Sequence, residues 1–531
     1  MLQPMNYEPS RFRSRMALAL LLAACACAAM AADAGARTVY VTDFGFAAVP
    51  GSLWRIDNQT NSVVGSPLEL SKKPGAIAIA PDGKTAYLVN PETDDVSILD
   101  TQTNRVVGSP IHVGDSPERI AIAPDGKLAC VTNFTSNNVS VIDLQTDRPV
   151  GSPIQVGKGP EGIAIAPDGK LAYVANAEGK SVSVVDLGTN QATATVPVGE
   201  RPKGIAVTPD GKRVYVANAG SNNVSVIDTR TDQEVPGSPI TVGESPDSVA
   251  VAPNGKAVYV SNFSSDNVSV IDTETNLAAK TIQVGEEPLG IAISPDGKAA
   301  YVPSLVSGTV SVIDAIANEP LGTPIRVGVQ PEQVAIVPDQ APVASFSHPV
   351  ARPGVPVAFD ASASHDSDGS VADFAWGFGD GAGAPNGGSA PSHVFAHPGT
   401  YKVTLTATDN EGCSTALVFT GQTASCNGSA SATETLDVDV VYPAVRVSCP
   451  ARARPRSCLF RLRAVTRQRR GKAETGVARV KVKAGKSAIV SLKPSARFAR
   501  RLATAKKVLV ERTLRIGASR QTTFRRLKIV R

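Results

Sequence analysis

The sequence predicts an all-β chain whose main body closes into a seven-bladed β-propeller, and three observations predict it. One unit of roughly 43 residues repeats seven times over residues 37–339. The array begins and ends on incomplete units that complement each other. Turn formers are abundant, with 45 Gly and 39 Pro in 531 residues, while aromatics reach only 5%. That composition suits short strands joined by tight turns and leaves little room for long helices.

The repeat is legible at two landmarks. Pro-Asp-Gly-Lys recurs at Pro81, Pro124, Pro167, Pro209 and Pro295, with Pro-Asn-Gly-Lys at Pro253. A Val-Ser-Val-Ile-Asp-like segment ends at Asp57, Asp100, Asp143, Asp186, Asp228, Asp272 and Asp314, in steps of 42 to 44 residues. Within one unit, Gly162–Ala166, Leu171–Ala175, Ser181–Val185 and Ala192–Val198 read as four strands. The Asp and Asn residues between them bond nearby backbone N–H groups, and Gly supplies positive φ. The array opens on a second strand, Thr38–Thr42, and closes on an unpartnered first strand, Val334–Val337. Pairing the two completes the seventh blade and removes exposed sheet edges.

Val39–Asp43, Cys130–Asn133, Tyr173–Asn176 and Tyr215–Asn218 (Val-Tyr-Val-Thr-Asp, Cys-Val-Thr-Asn and Tyr-Val-Ala-Asn) resemble the YVTN-type repeats of microbial surface-layer propellers. The resemblance spans 37–339 and implies a cell-surface module without a shared chemistry. Residues 341–440 resemble a PKD domain, an immunoglobulin-like β-sandwich. The motifs are Phe359–Ser362, Asp366–Gly369, Phe374–Gly381 and His397–Tyr401, with Gly377 where that family usually has Asp. Such domains usually act as spacers or partner-binding modules, and Trp376 is expected to plug the core. Asp366, Asp368 and Asp373 form a Ca²⁺ candidate; the competing and preferred reading is that Asp-Ser-Asp-Gly makes a turn.

Charge is unevenly distributed. Residues 441–531 hold 27 basic and 2 acidic residues, whereas 37–340 hold 21 basic and 34 acidic. The segment 442–531 patterns as a small basic β-rich domain, with strands at Val445–Ser448, Leu459–Val465, Val477–Val482, Ala488–Leu492, Val508–Ile516 and Thr522–Val530, and a helix at Ala496–Ala505. Arg and Lys alternate with apolar residues, which separates cations from apolar groups. A solvated sheet face and a surface that holds acidic wall polymers both fit this pattern. Nucleic acid does not, because aromatics are not interleaved and the chain carries an export signature.

That signature is Arg11, Arg13 and Arg15 ahead of the apolar run Met16–Ala31, which defines a signal peptide over residues 1–34. Cleavage after Ala31 or Ala34 is the preferred reading; Leu22-Ala23-Ala24-Cys25 resembles a bacterial lipoprotein box that would instead acylate Cys25, and an uncleaved anchor is the third route. No transmembrane span is expected in the mature chain. The protein is therefore expected to be secreted or envelope-associated in a bacterium. Disulfides at Cys413–Cys426 and Cys449–Cys458 fit an oxidising compartment. Cys130, in a slot where sister repeats have Tyr, is expected to be a buried thiol.

Chemistry is harder to find. Five histidines occur, and His112 alone falls in the propeller, so neither a Ser-His-Asp triad nor a His metal site can be drawn there. Asn138, Asn223 and Asn267 match the glycosylation pattern but occupy equivalent repeat positions, which favours a structural role. Positions that vary among the copies are freer to serve function. The most varied follows the Pro that enters each first strand: Gly75, Glu118, Glu161, Lys203, Asp247, Leu289 and Glu332. These define a rim suited to a cation or a basic partner; the competing and preferred reading is a solvated rim without a role. Phe44 and Phe46, in a loop longer than its counterparts, join it as candidate binding residues. The expectation is a non-enzymatic, cofactor-free binding or adhesion protein whose partner is a cell-envelope polymer or surface protein. The alternative is a lactonase- or lyase-type propeller enzyme acting on a small extracellular substrate, which would need a metal or an acid–base pair near Glu118, Glu161 and Glu332.

Overall fold

The computed structural model describes residues 38–441 apart from 47–48 and 422–423, and beyond them the strands of the C-terminal segment. The expected signal peptide with Cys25, the helix expected at Ala496–Ala505 and Cys449 of the expected Cys449–Cys458 pair lie outside the described residues. Among those described, helix is limited to two short 3-10 turns, Phe263–Ser265 and Ala430–Ala432. None is long and apolar enough to cross a membrane.

The chain divides into two compact units. The first comprises residues up to Ala341 together with Ser367–Gly369 and Glu411–Ser429; the second holds the remainder. In the first unit seven antiparallel sheets follow the repeat. Blade 1 starts at the inner strand Ala76–Ile79, and blades 2 to 6 start at Pro117–Ile122, Pro160–Ile165, Pro202–Val207, Pro246–Val251 and Ala292–Ile293. Blade 7 is shared by both ends of the repeat. Its inner strand Pro331–Ile336 pairs with Thr38–Asp43 in the register Val39↔Ile336, Tyr40↔Ala335 and Val41↔Val334. The ring closes as the strand bookkeeping requires.

Two recurrent side chains hold the blades. The second-strand tyrosines are buried, and all but Tyr173, whose hydroxyl makes no hydrogen bond, reach the Asn or Asp that turns the next blade. Tyr259 Oη donates to Asn318 Oδ1 at 2.5 Å and to Ala315 O at 3.0 Å. Tyr40 reaches Asn104, Tyr215 reaches Asn276 and Tyr301 reaches Asn61 in the same way. Those acceptors sit at positive φ, where Asn and Asp are tolerated best. Cys130 interrupts the series: it is fully buried, burial pushes its thiol up to about 12, and the equivalent Asn190 Oδ1 accepts no hydrogen bond. The motif asparagines brace their own blades. Asn133 Nδ2 donates to Asn138 Oδ1 at 2.7 Å and to Ser140 Oγ at 2.9 Å, so the Asn-Val-Ser asparagine serves architecture.

Glu411–Ser429 belongs to the propeller unit. The Cys413–Cys426 disulfide is formed. The segment it closes lies against the ends of the inner strands: Ile165 N donates to Gly421 O at 2.6 Å and Val207 N to Thr420 O at 3.3 Å. Phe419 and Ala424 are buried in one cluster with Ile163, Ile165 and Val174. Thr420, Ala424 and Ser425 form one wall of a cavity of about 50 Å³ whose other walls are inner strands such as Ile77, Val249 and Val334. The segment therefore plugs the channel at its Pro-Asp-Gly end.

In the second unit Val371–Gly377, Gly399–Asp409 and Thr433–Val440 pair in one sheet. Trp376, Phe346, Phe359, Phe378, Phe395 and Leu405 fill its core, and Trp376 Nε1 donates to Gly388 O at 3.0 Å. Of the grouped carboxylates, Asp368 belongs to the first unit, where it is buried and accepts Gln340 N–H at 2.9 Å. Asp366 lies just before that bend, and Asp373 lies in Val371–Gly377 opposite Thr408. The C-terminal strands form a pair, Ala444–Ser448 with Ser487–Ser491, and a four-stranded sheet of Gly471–Lys483, Ser457–Gln468, Lys507–Ile516 and Ser519–Lys528.

Candidate active site

Each rim residue stands at the start of an inner strand, so the ring brings all seven to one mouth of the channel. The Pro-Asp-Gly turns end those strands at the other mouth. Ile165 lies four residue steps along the strand from Glu161, which puts the rim roughly 13 Å from the plug at ~3.3 Å per residue.

The second strands fix the rim backbone. Thr132 Oγ1 donates to Glu161 O at 2.6 Å, Thr42 Oγ1 to Gly75 O at 3.2 Å and Ser261 Oγ to Leu289 O at 2.5 Å. The hydroxyl of the repeat motif thus positions the rim residue of the next blade. Neighbouring inner strands approach closely here. A Cβ on Gly162 would lie 2.0 Å from Lys203 O, so that position has to be glycine.

Lys203 joins three blades. Its Nζ lies 2.7 Å from Asp247 Oδ1 and 4.0 Å from Glu161 Oε2. Asp247 is 2% exposed and also faces Arg119, whose guanidinium is 3.7 Å from Oδ2. The Asp247 charge, reinforced by Glu161, raises the Lys203 ammonium above its ordinary value despite partial desolvation. Desolvation dominates at the glutamates. It pushes Glu161 up to about 7 against the opposing pull of Lys203. It pushes Glu332 up to about 7 as well, partly offset by Arg119 and reinforced by Glu118 and Asp247. Glu118 is raised too, again chiefly by burial.

Five of the expected rim residues therefore act as one electrostatic cluster: Glu118, Glu161, Lys203, Asp247 and Glu332. Arg119 completes it, although the sequence reading did not single it out. Its signal was available, because this position is Gly in Gly162, Gly204 and Gly290 and a guanidinium there is the outlier. Leu289 and Gly75 sit on the same rim without charge, and a Cβ on Gly75 would crowd Pro91 at 3.1 Å and touch Glu332 Oε2 at 3.6 Å. Phe44 is half-buried beneath the Lys73 ammonium, 5.3 Å from its ring centre, whereas Phe46 is 63% exposed. The two phenylalanines thus part company.

Chemically, the mouth holds carboxyls that change protonation near neutrality beside fixed cations. Such groups can move a proton and stabilise an anion without histidine.

Residues 149–235 match the family model described as "Lactonase, 7-bladed beta-propeller", and residues 339–437 match the PKD domain model. No curated protein matches the chain. Among solved structures, the chain is similar to a candidate 6-phosphogluconolactonase of Bacteroides fragilis, at 17% identity and TM-score 0.50, covering 57% of this chain and 98% of that one. A second, from Bacteroides uniformis, gives 18% and 0.50, covering 56% and 99%. Hydrazine synthase of Kuenenia stuttgartiensis follows at 25% and 0.44, covering 49% and 88%. The structural likenesses concern the fold. The lactonase match overturns the expectation of a non-enzymatic head, which rested on the scarcity of histidine. Acid–base chemistry needs only poised carboxyls, and the folded rim supplies them.

Proposed function

We propose that the propeller is a lactonase-type hydrolase acting on a small extracellular lactone at the charged mouth. The observation that carries this reading is the convergence of Glu118, Glu161 and Glu332, all raised by burial, on Lys203 and Arg119. The lactonase match over blades 3 and 4 supports it.

Glu161 is the general base. At about 7 its carboxyl is close to half-ionised at neutral pH, the range in which one group both accepts and returns a proton efficiently. It takes the proton of a water that attacks the lactone carbonyl. Lys203 and Arg119 stabilise the resulting oxyanion, and Asp247 holds both cations on the same side of the mouth. The ring C–O bond then breaks. The leaving alkoxide takes a proton from a protonated carboxyl of the cluster, so that the net change is one water added and a hydroxy acid released. In the same proposal, the basic segment 442–531 keeps the enzyme at anionic envelope polymers.

The test is pH-stat titration of a panel of five- and six-membered lactones with the full chain. Hydrolysis above the buffer rate, rising through about pH 7 and lost in Glu161→Gln, is expected. No hydrolysis of any member, or full activity in Glu161→Gln, would reject the reading.

A further inference from the structure

The mouth is lopsided. The cluster residues Glu118, Arg119, Glu161, Lys203 and Asp247 come from blades 2 to 5. On blades 6 and 7 the surface turns apolar at positions where sister blades are polar. The loop residue before each inner strand is Lys72, Asp115, Lys158, Glu200, Glu244 and Glu286 in six copies, but Val329 in the seventh. In the neighbouring loop, blades 2 to 5 have Thr135, Glu178, Gly220 and Ser264 where blade 6 has Val306. Both valines are more than half exposed, at 52% and 57%.

These loops adjoin one another. Phe44 N donates to Gln330 O at 3.0 Å, and Asp43 Oδ1 accepts Val329 N at 3.1 Å and Gln330 N at 2.7 Å. The blade 7 loop bearing Phe46 is thereby tied to Val329. Val327 N donates to Gly308 O at 3.1 Å, which brings in the loop bearing Val306. Phe46, Val329 and Val306 thus lie on loops joined by hydrogen bonds, with Leu289 at the adjoining rim position. Glu332, in blade 7, stands between this arc and the charged one. Exposed apolar side chains that replace charges at the Val329 position and mostly polar residues at the Val306 position, next to a polar reaction centre, mark a binding surface rather than a packing remnant.

We propose that this arc holds an apolar alkyl or acyl substituent of the substrate, so that the enzyme's substrates are amphiphilic lactones whose ring meets the charged arc. The inference rests on the lactonase reading and specifies its substrate class. The patch binds ground state and transition state alike, so chain length acts on KM and leaves kcat nearly constant.

The test compares γ-butyrolactone with its 4-butyl, 4-hexyl and 4-octyl derivatives, all below their solubility limits. KM is expected to fall about two- to fourfold per methylene until the chain outgrows the patch. Val306→Ser combined with Val329→Ser should raise KM for the octyl lactone about tenfold or more and leave the unsubstituted lactone unchanged. Val306→Leu with Val329→Leu should retain the wild-type preference. Exposed loop substitutions of this kind typically shift stability by less than about 0.5 kcal/mol, so the fold is preserved. Calorimetric binding of 4-hydroxydodecanoate against 4-hydroxybutanoate gives a second readout that needs no turnover. Chain-independent KM with matching affinities would overturn the inference while leaving lactone hydrolysis standing. Absence of hydrolysis across the series would remove both. A dimer that the serine variants dissociate would assign the patch to a second copy of the chain and would also overturn it.

Discussion

Replacing Lys203 by Met tests the electrostatics of the mouth at its centre. The side chain keeps its length and loses its charge. Glu161 then loses a cation at 4.0 Å. Two unit charges at that distance interact by about 1 kcal/mol in water and about 4 kcal/mol at an effective dielectric near 20. Lys203 is 26% exposed, so solvent screening places the effect toward the lower end, about 1–2 kcal/mol. That corresponds to roughly one pK unit. Glu161, already at about 7, should therefore titrate roughly one unit higher. Asp247 simultaneously loses its 2.7 Å partner while 2% exposed. An abandoned buried charge costs about 3–5 kcal/mol, and the remaining Arg119 should reduce this to roughly half. The assay is a carbon-detected NMR titration of the glutamate carboxyls, with thermal unfolding in parallel and Lys203→Arg as the charge-preserving control. The direction of the pH dependence is fixed. A carboxyl raised on folding binds its proton more tightly in the native state, so its stability cost is complete above about pH 7 and vanishes below the ordinary carboxylate range. Lys203→Met should push that upper limit further up. A glutamate midpoint that stays at about 7 or falls, with unchanged unfolding, would refute the reasoning.

Other perturbations address other parts of the molecule. Tyr259→Phe removes the donor to Asn318 Oδ1 and Ala315 O, and should cost about 1–2 kcal/mol in denaturant unfolding. Cys413→Ser with Cys426→Ser frees a loop closed over 13 residues of separation, worth about 3 kcal/mol in the chain-entropy account. Hydrogen exchange should accordingly lose protection at Ile165 and Val207, which the plug covers, and not at their counterparts in other blades. Deleting residues 442–531 should abolish salt-sensitive sedimentation with anionic cell walls, and undiminished pelleting would refute the envelope-contacting role.

What could be read in advance followed from what repeats. The spacing of Asp57 through Asp314 and the leftover strands Thr38–Thr42 and Val334–Val337 determine the ring, because a strand pair is a local and nearly complete description of a blade. The rim was legible for the opposite reason, since positions that differ between copies escape the demands of the blade. The rest depends on distances that only closure creates. Glu161 and Lys203 are 42 residues apart in the chain, and their coupling depends on two inner strands meeting at Gly162. The plug was hidden because Glu411–Ser429 reads as an ordinary Ser- and Gly-containing excursion before the strand Thr433–Val440; its cysteines announce a closed loop but not its seat on the inner strands. Val306 and Val329 are unremarkable singly and become informative only once the blades are aligned and their loops are seen to touch. The non-enzymatic expectation failed at the same level. It was argued from the residue inventory, and burial is what turns an inventory of glutamates into acids and bases near neutrality.

The central proposal is that partly buried rim carboxyls hydrolyse lactones. Its most direct measurement is the pH-stat rate of 4-alkyl-γ-lactone opening by wild type and Glu161→Gln across pH 5–9. The account predicts a wild-type rate that climbs through an apparent value near 7 and falls by a factor of about 10²–10⁴ in the variant. A wild-type rate equal to buffer, or a variant with the wild-type profile, would contradict it.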